Sequence, residues 1–325
     1  MKLNHKRSKL AGLAAAALAV SALVVPSAKS QLSGIKIDGS STVYPITQAM
    51  AEEFAGESAI NRAIRITIGI SGTGGGFKKF CAKETHISGA SRPIKQSEID
   101  KCKAAGVEFI ELPVAYDAIT VVVSKKNTWA TDMTPEELKK LWISDSSVDS
   151  WDDIRAGWPQ EPVRLYGPGT DSGTYDYFVE AILGKNDAGK KNSPRTDYTA
   201  SEDDNVLVQG VKDDETALGY FGLAYYAENA DKLNAVAING VLPSANTVNN
   251  GTYTPLSRPI YIYVNKEAAS RPDIQAFVNY YLNGTKRNDI ISEVGYVPLP
   301  GEDYTNAWQR YEDRQTGRVA LREGL

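Results

Sequence analysis

Strand-patterned and helix-patterned segments alternate through almost the whole chain, and that alternation restricts it to α/β layers with largely parallel strands. Strand patterns fall at 35–38, 64–70, 106–112, 119–124, 163–166, 217–221 and 259–264. Between them, apolar residues recur at helical spacing through Ile46, Ala49, Met50 and Phe54, and over 77–81, 134–142, 173–183, 205–212, 225–230 and 272–282. A last helix carries Tyr304, Ala307, Trp308 and Tyr311 at i, i+3, i+4 and i+7, an aromatic stripe that reads as core packing. No repeat or low-complexity segment interrupts the series. At 325 residues the chain is too long for one small doubly wound sheet, and it has no central linker. Two lobes joined by strand crossovers fit best.

The first thirty residues stand apart. Lys2, Lys6, Arg7 and Lys9 precede an apolar stretch over 10–25, and Ala28 and Ser30 occupy the −3 and −1 positions of a cleavage site. This is the pattern of a secretory signal peptide rather than a membrane span, because the apolar run is short for a bilayer; an uncleaved anchor is the alternative. Without residues 1–30 the chain has 31 basic and 40 acidic side chains, a formal net of −9, and no basic patch that would neutralise nucleic-acid phosphates. Cys81 and Cys102 are the two cysteines. In an exported protein they read as one disulfide worth on the order of 3 kcal/mol, with two buried thiols as the alternative. His86 is the one histidine beyond the leader, so a metal site is not expected.

Three loops share one composition. Gly39-Ser40-Ser41-Thr42, the run Ser71-Gly72-Thr73-Gly74-Gly75-Gly76, and Asp171-Ser172-Gly173-Thr174 each follow a strand and precede a helix. Such turns present unpaired amides at the positive end of a helix dipole, glycine lets a ligand approach the backbone, and each hydroxyl adds a donor. Ordinary helix capping explains any one of them. Three beyond the ends of strands in an α/β sheet suit a small oxyanion. None has the lysine of a P-loop.

Arg92, in Gly89-Ala90-Ser91-Arg92-Pro93-Ile94, is the candidate cation, with a planar fork suited to an oxyanion; a solvated turn arginine is the alternative. Asp117 and Asp171 are the candidate acids. A carboxylate beside a bound anion makes sense where the anion keeps a proton to donate, as phosphate does and sulfate does not, and a buried acceptor of this kind discriminates by about 10⁴-fold. The plain readings are an N-cap for Asp171 and a turn acid for Asp117.

The stretches "IDGSSTVYPI", "ISGTGGGFKKFC", "ISGASRPI", "ELPVAYDAITVVV", "DSGTYDYF" and "VGYVPLP" occur in order along the chain. Together they resemble the periplasmic phosphate-binding proteins of the PstS family, in the branch common in cyanobacteria. The resemblance implies a type II periplasmic-binding fold, with lobe I at 31–115 and 262–325 and lobe II at 116–261. It implies a monomer, without cofactor and without catalysis, that binds inorganic phosphate in the periplasm and delivers it to the membrane permease of an ABC transporter. It assigns Ser41, Thr42, Val43, Ser71, Ser172, Gly173 and Thr174 as phosphate contacts. The chain departs from the better-known members at two points: Arg92 replaces an aspartate, and Gly167-Pro168-Gly169-Thr170 replaces a segment that carries an arginine. The proton acceptor is then unassigned, with Asp117 ahead of Asp171. Competing functions are binding of another oxyanion such as sulfate, molybdate or an organophosphate, phosphate sensing, and an exported serine hydrolase or phosphatase using Ser41 or Ser172. The last needs a base, for which His86 is the one histidine, and it lacks a nucleophile elbow.

Overall fold

The computed structural model describes residues 34–186 and 189–319; the leader at 1–30 lies outside them. The principal strands are β1 (Ile35–Gly39), β2 (Ile66–Ile70), β3 (Ile87–Ala90), β4 (Phe109–Ser124), β5 (Arg164–Gly167), β6 (Thr199–Ala200), β7 (Ala217–Gly222), β8 (Leu233–Ala235) and β9 (Ser257–Asn265). The principal helices are α1 (Tyr44–Glu57), α2 (Gly72–Cys81), α3 (Gln96–Ala104), α4 (Pro135–Trp142), α5 (Gly173–Phe178), α6 (Asp204–Lys212), α7 (Pro272–Asn283) and α8 (Gly301–Glu312). A π-helical turn, Val179–Leu183, continues α5.

Among the described residues the strands form a mixed sheet in the order β2-β1-β3-β9-β4-β7-β5-β6, with β8 also on β4. β1 is parallel to β2 and β3, and β5 to β6 and β7, as the alternation of segments implies. The two long strands break that rule: β9 is antiparallel to β3 and β4, and β4 is antiparallel to β7. β4 spends residues 109–118 against β9 and residues 119–123 against β7, so it carries the chain from one group of strands to the other, and β9 brings it back.

Two expectations are corrected. The strand patterns at 106–112 and 119–124 belong to one sixteen-residue strand, because Pro113 sits at a bulge, where a missing amide is tolerated. Tyr261 faces Pro113 and Ile260 faces Ala115, which leaves Val114 as the extra residue. The carbonyl of Val114 instead accepts the Tyr304 hydroxyl at 2.8 Å. Second, the glycine run at 72–76 is the first half of α2 and not a loop. A Cβ on Gly76 would stand 2.5 Å from the Gly39 Cα, so glycine is what lets this helix lie directly on β1.

Other elements form for local reasons already visible in the chain. Thr134 caps α4, accepting the Glu137 amide at 3.1 Å while the Glu137 carboxylate accepts the Thr134 amide at 2.8 Å. Tyr304, Ala307 and Tyr311 of α8 are buried, and the Trp308 ring stacks on Tyr311. Cys81, ending α2, and Cys102, in α3, form a disulfide across 21 residues of sequence, so the two helices flanking β3 are linked covalently.

The sheet sense has a consequence for the loops. β3 and β4 run the same way, since both are antiparallel to β9, and β5 runs opposite to β4. The carboxyl ends of β1, β2 and β3 therefore point toward the group containing β5, and that of β5 points back. Helix starts from the two groups face each other across the crossover strands.

Candidate functional site

Where those ends meet lies a cavity of ≈ 250 Å³. Ser40, Ser41 and Thr42 after β1, Gly72, Thr73 and Gly74 opening α2, and Ser91 and Arg92 after β3 supply one side; Asp176 and Glu180 of α5 and its π turn supply the other. Lys95, Lys185, Lys191 and Arg258 complete the wall, so cationic side chains outnumber the two carboxylates. Ser71 lends no side-chain cap to α2, and its first-turn amides keep the orphan donors of any helix start. Thr73 joins two of the loops: its Oγ1 accepts the Ser91 amide and lies 3.2 Å from the Ser91 Oγ. The Asp171–Thr174 loop closes on this group from opposite. A Cβ on Gly173 would stand 2.8 Å from the Thr42 Cα, so the two backbones touch there and nothing larger than glycine fits without displacement.

Arg258 is the most constrained cation on the wall. The β9–β4 register places it directly opposite Asp117. Its Nε and Nη2 each lie 3.3 Å from Asp117 Oδ2, its Nη1 donates to Glu180 Oε2 at 3.1 Å, and its Nη2 reaches Thr42 Oγ1 at 3.4 Å. The guanidinium carbon sits 3.7 Å from the centroid of the Tyr177 ring, a cation–π stack that fixes its plane. The Tyr296 hydroxyl, from the "VGYVPLP" stretch, holds the Thr42 carbonyl at 2.6 Å. Asp117 is 4 % exposed; burial pushes its carboxyl up to about 6, against the pull of Arg258.

Of the residues singled out from the chain, Ser41, Thr42 and Arg92 line the cavity, and Ser172, Gly173 and Thr174 form the loop seated on Thr42. Others are placed differently. The Arg92 fork is taken by Glu98, with bonds of 2.9 and 2.8 Å. Burial alone would raise Glu98, but the Arg92 fork and the Lys95 amide hold its carboxyl below the ordinary range. The Ser71 hydroxyl donates to Asp38, and Thr73 is the α2 hydroxyl on the wall. Val43 points into the core and its amide donates to the Ser40 carbonyl at 3.2 Å. The Ser172 Oγ accepts the Thr174 amide at 3.1 Å as an N-cap. Asp171 is exposed and off the wall, with its amide on Glu202. Asp117 is not on the wall either; it stands behind Arg258. His86 occupies the amino end of β3, remote from these loops, with Nδ1 accepting the Lys36 amide and Nε2 2.8 Å from Arg271.

Arg258 escaped the reading of the sequence, although a signal existed. Ser91-Arg92-Pro93-Ile94 recurs as Ser257-Arg258-Pro259-Ile260, the one short repeat that matters here. Both copies end at the same cavity. Thr73 lay in a hydroxyl-bearing run already singled out, while Asp176 and Glu180 had no comparable signal.

Comparison with known proteins gives a consistent picture. A family model described as a PBP superfamily domain matches residues 24–285. Protein SphX of Synechococcus elongatus is 48% identical over 317 residues, covering 95% of this chain and 90% of that protein. The phosphate-binding protein PstS of Staphylococcus saprophyticus is 36% identical over 286 residues, 86% of this chain and 84% of its own. Among solved structures, that of a possible phosphate binding protein from Planctomyces limnophilus matches with a TM-score of 0.79 at 46% identity, over 87% of this chain and 98% of that one.

Proposed function

The chain belongs to the PBP superfamily, among its phosphate-binding members, and from that premise we propose that it captures inorganic phosphate outside the cytoplasm for a phosphate ABC transporter. The observation that carries the reading is the convergence of two hydroxyl-bearing helix starts and Arg258 on one cavity, with the Ser172–Thr174 loop seated on Thr42 of its wall. Ser41, Thr42, Thr73, Ser91 and the first-turn amides of α2 supply fixed donors, Arg258 supplies charge, and the Ser172–Thr174 loop closes over the anion from the opposite lobe. The lobe boundaries lie at 115/116 and 261/262, within or beside the crossover strands. Release to the permease follows when the lobes part. The protein works as a monomeric binder in the periplasm after cleavage of the leader. It does no chemistry: His86, the base a serine mechanism would need, is held at the far end of β3.

Discrimination comes from Asp176 and Glu180 on the wall. They accept the proton that phosphate retains near neutral pH and repel sulfate, which has none. Thermal-shift titration tests this. Phosphate and arsenate are expected to raise the melting temperature, by the equivalent of about 4 kcal/mol at a thousandfold excess over Kd, and sulfate is not. Equal stabilisation by sulfate would remove the acceptor argument.

Closure makes a second prediction. Gly173→Ala would place a Cβ 2.8 Å from the Thr42 Cα and 2.9 Å from its Oγ1. Backbone does not yield as a side-chain tip does, so the loops should stand apart in the variant. Phosphate affinity is expected to fall about tenfold by calorimetry, with the melting temperature in phosphate-free buffer unchanged. Full retention of affinity would mean that this contact is not part of the bound state.

A further inference from the structure

Ser91, Arg92 and Lys95 reach the cavity from the segment between β3 and α3, which lies outside both elements. Peptide groups in such a segment have no ladder to bond to, so their other partners decide how firmly it is placed. Its innermost residue is Ile94, which has no exposed surface. The Ile94 amide donates to the Tyr263 hydroxyl at 2.9 Å, and the Ile94 carbonyl accepts the Arg318 guanidinium.

Tyr263 passes that hold on. Its hydroxyl donates in turn to Glu111 Oε2 at 2.5 Å, while Glu111 Oε1 accepts the Val319 amide at 2.8 Å. Tyr263 and Glu111 stand directly opposite each other in the β9–β4 register, the same strand pair that sets Arg258 against Asp117. Both are buried, Glu111 to 1 % exposure. A carboxylate taken out of water is costly, and an apolar side chain of similar volume would pack there without that cost. What the carboxylate supplies is two acceptors at once, one oxygen for the tyrosine that carries Ile94 and the other for the segment following α8. That segment is itself fastened to the start of β4. The Gly317 amide donates to the Phe109 carbonyl at 3.1 Å, and the Arg310 Nε of α8 donates to the Glu111 carbonyl at 3.1 Å. An unbroken series of hydrogen bonds therefore runs from Val319 through Glu111 and Tyr263 to the cavity segment. It extends to α2, because the Ser91 amide donates to Thr73 Oγ1.

We propose that Glu111 and Tyr263 are positioning residues for phosphate binding: clasped by Gly317–Val319 and acting through Ile94, they hold Ser91, Arg92 and Lys95 in place for the anion. The proposal rests on the phosphate-binding reading above. Neither residue lines the cavity; a wall segment already placed loses less freedom when the anion arrives.

Calorimetry with inorganic phosphate, at a temperature where every variant is folded, tests it. Tyr263→Phe keeps the ring and removes the hydroxyl. Affinity is expected to fall about tenfold, with amide exchange in the peptide spanning Ile94 faster by about the same factor. Glu111→Gln, with one acceptor oxygen in place of two, should lose about threefold. Tyr311→Phe is the control for a merely structural role. That hydroxyl is also buried and donates to the Ala269 carbonyl at 2.8 Å, away from the cavity. Its loss should lower the melting temperature and leave affinity within about twofold. Arg318→Ala covers the case in which the buried variants fail to fold, because Arg318 is exposed. It is expected to lose about threefold at about 0.5 M salt, where long-range attraction is screened. Unchanged affinity in the variants that fold overturns the proposal and leaves the phosphate reading intact. An equal loss in Tyr311→Phe would mean general loosening of the fold, and overturns it too. Absence of phosphate binding by the unaltered protein overturns the phosphate reading itself.

Discussion

Arg258→Ala is expected to lower phosphate affinity about 10³-fold, the range measured when one partner of a desolvated charge pair is truncated. The side chain is 13% exposed, is fixed in plane by the Tyr177 ring, and touches Asp117, Glu180 and Thr42 at once. Such a guanidinium has lost its rotamer freedom before the anion arrives, so little ordering cost opposes binding. Arg258→Lys keeps the charge but neither the fork nor the stack, and should recover only part of the loss. Arg92→Ala provides the contrast. The sequence pointed to Arg92 as the principal cation, yet its two terminal nitrogens are already on Glu98. Its removal should cost no more than about tenfold, mainly through lost long-range attraction. Calorimetric titration of the three variants orders them. Unchanged affinity in Arg258→Ala, or a larger loss in Arg92→Ala, would return the role to Arg92. Folding is a separate readout: without its partner, Asp117 neutralises by holding its proton, so the Arg258→Ala melting curve should remain cooperative.

The contrast between the two arginines marks what was legible in the chain. Local signals were read well: the strand–helix alternation, the helix over 134–142, the buried face of α8, and hydroxyl-rich helix starts all depend on neighbours a few residues away. Pro113 misled because proline normally ends a strand, and only the opposing strand reveals the bulge that absorbs it. The glycines at 72–76 misled because their purpose is the close approach of a helix to β1, a tertiary fact. Arg258 and Asp117 become a pair through the register of two strands far apart in sequence. Composition can suggest that an anion site exists; which cation faces it is decided by strand pairing, and here only the repeated Ser-Arg-Pro-Ile tetrad carried that information in advance.

Asp117→Asn should flatten the pH dependence of stability in the empty protein. In the folded state the Asp117 carboxyl lies near about 6 instead of the ordinary 3.8, because burial outweighs the attraction of Arg258. Between those values the folded protein holds a proton that the unfolded chain has released. The stabilisation from that proton is present in full below the unfolded value and is lost as pH rises through the folded one, on the order of 3 kcal/mol in total. From pH 5 to pH 8 the share lost is about 1.4 kcal/mol. Asparagine stays neutral throughout and keeps an oxygen for Arg258. Asp204, which burial and then Asp203 and Glu202 also push up to about 6, contributes a slope of the same sign in both proteins and cancels from the difference. Urea unfolding of the two proteins at pH 5 and pH 8 in phosphate-free buffer is the measurement, and parallel curves would show that Asp117 is not the buried acid described. A second readout separates its two suggested roles. An Asp117 that accepted the phosphate proton directly would, once replaced, admit sulfate. Standing behind Arg258 and off the cavity wall, it should leave the rejection of sulfate to Asp176 and Glu180, so the asparagine variant is expected to refuse sulfate as the parent does.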